Sequence, residues 1–163
     1  MPQKIYWQVL VDLRFYCFYL DLYRRLIDRI DYWIGVLLAV ASSGSIGAWT
    51  VWKEVPMLWG AIIAGSQVIH TMRPFLPGKA QRAKVAALGN DLDRLAIQVE
   101  EYWLSVRNGE ATEQDIVRMV SQVRGKLQES QIKHFGDRTL REIPSLKRTA
   151  EERAKNYLDI YST

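Results

Sequence analysis

Between Asp31 and Arg73 the chain carries only two charged side chains, Lys53 and Glu54, and they divide the interval into two uncharged runs. The first, Tyr32 to Trp52 (YWIGVLLAVASSGSIGAWTVW), has 21 residues and the second, Val55 to Met72 (VPMLWGAIIAGSQVIHTM), has 18. About 20 apolar residues at a 1.5 Å rise cross a hydrocarbon layer of roughly 30 Å. The pattern therefore predicts an all-α chain of one kind: an integral membrane helical hairpin of two transmembrane helices, 32–52 and 55–72, flanked by an N-terminal amphipathic helix and a C-terminal cytoplasmic helical bundle. The competing reading is a helical hairpin buried in a soluble bundle. It needs apolar partners around its whole circumference, and the remaining sequence offers few such faces. Met1 to Asp31 is interrupted by charges at short intervals, which argues against a cleaved signal peptide and for a retained N-terminus.

Aromatic residues fall where a spanning pair would place them. Tyr32 and Trp33 stand at one edge of the first run, and Trp49, Trp52 and Trp59 cluster at the other, as amphipathic rings do at membrane interfaces. Small residues recur every four positions, Gly35, Ala39, Ser43 and Gly47 on the first run and Gly60 with Ala64 or Ala61 with Gly65 on the second. That spacing lets helix backbones approach closely, and it is also ordinary in membrane helices.

The net charge of +4 is uneven along the chain: +1 over residues 1–52, 0 in the turn, +4 over 73–84 and −1 over 85–163. Arg24, Arg25 and Arg29 precede the first run, while Arg73, Lys79, Arg82 and Lys84 follow the second. These seven residues predict headgroup contact and both termini on the cytoplasmic side of a multi-pass inner-membrane protein. They account for the basic excess without nucleic acid.

The expected organisation is an N-terminal helix over 1–31, the hairpin over 32–72, a basic linker over 73–84 and a helical region over 85–163. In the first segment Ile5, Val9, Leu13, Tyr16, Leu20, Tyr23, Ile27 and Ile30 fall at steps of three and four, so an amphipathic helix is expected to run on into the first span. Two prolines and a glycine at Arg73-Pro74-Phe75-Leu76-Pro77-Gly78 break helical continuity. Beyond them Val85, Leu88, Leu92, Leu95, Val99, Tyr102 and Val106 form a heptad seam on a helix of about 80–107, open to use between subunits or within a bundle. Asn108 and Gly109 close it, Thr112 with Asp115 starts the next helix, 112–135, with the stripe Ile116, Val120, Val123 and Leu127, and a last helix follows Pro144 over about 145–160.

Chemistry-bearing motifs are scarce. Cys17 stands alone, and His70 and His134 lack metal-ligand spacing or a neighbouring nucleophile pattern. No Gly-rich phosphate loop is present. The sequence thus points away from an enzyme, with no catalytic residues, cofactor or metal. The remaining candidates are polar groups inside the two runs, Ser42, Ser43, Ser45, Thr50, Ser66, Gln67 and His70. The hydroxyls can bond their own helix carbonyls. Gln67 needs a neighbouring helix or a watery path, and His70 lies one turn from Arg73.

A preceding helix, two runs joined by the minimal turn Trp52-Lys53-Glu54-Val55-Pro56 and an all-helical tail resemble the SLATT-type effectors, small two-transmembrane proteins of bacterial conflict systems. The resemblance is one of architecture and carries no diagnostic motif. It implies an antiviral-defence effector that binds membrane lipid, forms a homo-oligomeric pore and is released by a sensor or nucleotide-signalling partner. The alternative is a membrane anchor or adaptor whose cytoplasmic helices recruit a soluble partner.

Overall fold

The computed structural model describes residues 2–51, 56–72, 78–136 and 142–162, without the side chains of 40–51, 56, 58, 59, 62, 72, 79 and 160–162. The described residues form five helices and no strand: α1 (Pro2–Val51), α2 (Pro56–Met72), α3 (Lys79–Arg107), α4 (Glu113–Phe135) and α5 (Pro144–Ser162).

Among the described residues no helix is long and apolar enough to cross a membrane. This overturns the expected transmembrane hairpin, and with it the multi-pass inner-membrane location. Helix length and charge give the reason. The 17 residues of α2 cover about 25 Å at 1.5 Å each, short of a hydrocarbon layer of roughly 30 Å. The 50 residues of α1 carry charges at short intervals as far as Asp31. The joining turn, Trp52 to Val55, and the linker segment Arg73 to Pro77 lie outside the described residues.

The chain divides into two compact units, one formed by Met1–Arg24 with Arg82–Thr163 and the other by Arg25–Gln81. In the first, the N-terminal part of α1 packs with α3, α4 and α5. Its core contains Tyr6, Leu10 and Leu13 of α1, Val85, Leu92 and Val106 of α3, Ile116 and Val120 of α4 and Ala150, Ala154 and Leu158 of α5. These residues recur at steps of three, four or multiples of seven on their helices, so each helix turns one apolar stripe inward. Six of the seven seam positions of α3 are buried within this one chain, and Tyr102 is half-exposed.

Local chemistry fixes where the helices stop. Gly109, at φ +74, receives the chain after α3. Its N–H donates to the Val106 carbonyl and that of Glu110 to the Ser105 carbonyl, the paired bonds of a Schellman cap, which favours glycine at the left-handed position. Thr112 then caps α4 reciprocally. Its Oγ1 accepts from the Asp115 N–H at 3.2 Å, and the Thr112 N–H donates to Asp115 Oδ2 at 3.3 Å. Pro144 opens α5 at the position where a missing N–H costs nothing, and the preceding Ile143 N–H donates to Tyr19 Oη at 3.0 Å. A side chain of α1 thereby ties down the entry to α5.

Candidate functional site

The first unit concentrates its polar chemistry where α1, α3 and α5 meet. Arg14 reaches Glu100 with two parallel bonds, Nε to Oε1 at 2.5 Å and Nη2 to Oε2 at 2.6 Å. Both side chains are only 12% exposed. Tyr157 of α5 completes the set, its Oη within 3.3 Å of both Arg14 Nη2 and Glu100 Oε2, and its ring lies 4.8 Å from the guanidinium carbon. Burial works against the Arg14 charge, but the bonds and the charge of Glu100 outweigh it, so the guanidinium holds its proton more firmly than usual. The planar fork matches the carboxylate edge, so three helices are held in one register. Every strong acceptor is taken by a partner inside the cluster, so it serves as a clamp.

Neighbouring groups are also committed to packing. Burial, reinforced by the charge and hydrogen bond of Asp93, pushes the Cys17 thiol up to about 12, which removes the thiolate a nucleophile needs. Tyr6 donates to the Val99 carbonyl at 2.8 Å, and burial together with Tyr102 raises its hydroxyl to about 12. Trp103 stacks on Tyr6 at 6.1 Å and tilts against Trp7 at 4.9 Å. At the other end of α4, His134 Nε2 lies 2.8 Å from Asp91 Oδ2, with Lys133 Nζ 3.4 Å from the same oxygen. The His134 bond is the main cause that lowers the Asp91 carboxyl below its ordinary range. Among the described residues no three of His, Cys, Asp and Glu converge where a metal ion would sit.

The second unit differs in kind. On α1 Tyr32 is 66% and Trp33 63% exposed, and on α2 Met57 is 88% and Val68 57% exposed. The α2 sequence contains no Asp, Glu, Lys or Arg. A methyl group added at Gly35, Gly60 or Gly65 would meet nothing within 4 Å. These helices therefore present large apolar side chains beside open backbone.

The polar residues expected to matter lie here, and the structure does not gather them into a site. Ser66 is half-buried and returns its hydroxyl to the Ile63 carbonyl at 2.8 Å; Gln67 and His70 are exposed. The Gln67 carbonyl accepts from Thr71 Oγ1 at 2.9 Å. The side chains of Ser42, Ser43, Ser45 and Thr50 lie outside the described residues, as do Arg73 and the side chain of Lys79. Arg24, Arg25, Arg29 and Lys84 are exposed and Arg82 is half-buried, with Arg24 Nη2 3.8 Å from Asp21. Sequence reasoning passed over the Arg14, Glu100 and Tyr157 clamp. Its one available signal was a charged pair facing the apolar sides of two helices, at Arg14 beside Leu13 and Cys17 and at Glu100 beside Val99.

Comparison of the chain with known protein families, with curated proteins and with solved structures finds no match.

Proposed function

We propose that this protein is a self-associating helical adaptor, whose first unit is a clamped bundle that presents binding surface and whose second unit joins copies of the chain. The observation that carries the reading is the exposure of Tyr32, Trp33, Met57 and Val68 on helices beside a nearly uncharged sequence. Several large apolar side chains left exposed on helices of so little charge point to an interaction surface. A second copy is the matching occupant, because α2 without a charged residue is complementary to another α2, and the open space beside Gly60 and Gly65 lets two helices approach closely. Pore formation requires wall elements that cross a bilayer, so that expectation loses its basis together with the spans.

Sedimentation across a concentration series tests the reading. The wild-type chain forms a closed oligomer at micromolar concentration, and Trp33→Glu with Met57→Glu converts it to monomer without loss of helix content. A wild-type protein that stays monomeric throughout the series contradicts it.

A further inference from the structure

The first unit has a concavity between two of its helices. A trough of about 670 Å³ runs between α1 and α5. Its α1 wall is aromatic and aliphatic, from Trp7, Val11 and Phe15, and its α5 wall includes Ala154 and Leu158. The α1 residues repeat every fourth position and extend about 12 Å along the helix at 1.5 Å per residue. The lining of α5 runs from Lys147 to Asp159, about 18 Å on the same rise. A trough of that length between two helices accommodates two to three turns of a third, laid in with apolar side chains downward.

The rim gives the sign of the partner. Three carboxylates, Asp12, Glu151 and Asp159, face two ammonium groups, Lys147 and Lys155. Lys147 is already held by Glu142 at 3.2 Å, and that bond is the main cause of its raised pKa. Lys155 stands one turn from both Glu151 and Asp159 on α5. The lining thus carries one more carboxylate than ammonium, above an apolar floor.

We infer that the trough between α1 and α5 is the docking site for a basic amphipathic helix of a partner protein, with apolar residues at i, i+4 and i+7 seated against Trp7, Val11 and Phe15 and lysines or arginines along the edge facing Glu151 and Asp159. The inference rests on the adaptor reading and names its partner class. Burial of apolar area supplies the affinity, and charge at the rim supplies the choice between partners.

The test titrates the full chain with two tryptophan-free peptides that share one leucine face, one bearing lysines on its flanks and the other glutamates, and reads Trp fluorescence and calorimetric heat. The lysine peptide binds at micromolar concentration and the glutamate peptide at least about tenfold more weakly. Glu151→Lys with Asp159→Lys, both on the exposed rim, reverses that preference, and Phe15→Ser weakens both peptides. Absence of binding, or equal binding of both peptides unchanged by the lysine substitutions, overturns the assignment. Binding of a small organic cation at the trough with no peptide binding overturns it as well. A chain that oligomerises but binds neither peptide loses only the trough assignment, whereas a monomer that binds the lysine peptide keeps the trough and loses the self-association.

Discussion

The two units are both wholly helical, yet they manage apolar surface in opposite ways. In the first, every helix contributes a stripe to a shared interior, and side chains more than eighty residues apart in sequence, such as Arg14 and Glu100, are hydrogen-bonded across it. In the second, Tyr32, Trp33, Met57 and Val68 remain in contact with solvent. Helix content alone therefore does not separate a unit that buries its apolar side chains from one that exposes them. The difference lies in how the apolar positions are arranged around each helix. An amphipathic helix meets its packing needs with one face, while a helix apolar on most sides has surface left over after any single contact.

The sharpest way to break this comparison is to remove core volume on one side and exposed volume on the other. Leu10→Ala or Leu92→Ala, each at a fully buried site, costs about 2–5 kcal/mol in a denaturant melt. Trp33→Ala changes the unfolding free energy of the dissociated chain by less than about 0.5 kcal/mol. Equal losses at the two kinds of site would erase the distinction between the units.

A second prediction concerns the clamp. Glu100→Ala leaves the buried Arg14 with only the more distant Asp93, 4.0 Å from its Nη1, and lowers stability by about 3 kcal/mol. The paired change Arg14→Met with Glu100→Leu loses less than the single change, because no unpaired charge remains. A double variant as unstable as Glu100→Ala would show that the pair contributes through more than mutual compensation.

Cys17 reports on the first unit chemically. With its thiol raised to about 12, the thiolate at pH 8 is scarce. Alkylation by iodoacetamide is expected to be at least about a hundredfold slower in the native chain than in urea. Reaction at a comparable rate in both states would show that this core opens readily.

The α3–α4 connection gives the smallest effect. Thr112→Ala removes the capping box and costs about 1 kcal/mol. The side-chain and backbone bonds of Thr112 lower the Asp115 carboxyl, so its folded pKa lies below its unfolded value. Its contribution is thus present above the unfolded value, near 4, and is lost as the pH falls through the folded one. The gap between wild type and Asp115→Asn in thermal melts accordingly closes as the pH is taken below about 4. A gap that stays constant down to acid pH would remove the carboxylate from the cap.

Much of the first unit was legible in its sequence because local periodicity suffices there. The steps from Val85 to Val106 marked the inward face of α3, and Thr112 with Asp115 marked the start of α4. On α1 the helix was legible, but three positions of its expected face, Ile5, Tyr16 and Ile30, are exposed. Tyr6 and Cys17 are buried where Ile5 and Tyr16 were expected. Steps of three and four fit a 3.6-residue turn from more than one starting point, and the choice is made by the neighbouring helices. The clamp was illegible for a related reason, since periodicity shows that a face turns inward but not which face it meets. The second run was misread because run length stood in for helix length. Val55 to Met72 reaches the spanning length only if all of it is helical, and α2 begins at Pro56. Of the candidate residues, Ser66, Gln67 and His70 were chosen for the cost of polar groups in hydrocarbon, a ground that falls with the spans.

The claim that the first unit is complete in itself while the second is completed by another copy is tested most directly by hydrogen exchange followed across dilution. Slow exchange is expected in the amides of α3 and α4 at every concentration, and protection in α2 and the Tyr32–Ala39 stretch that falls as the chain is diluted by about a hundredfold through its dissociation range. Protection in α2 that is equally strong at all concentrations would contradict it.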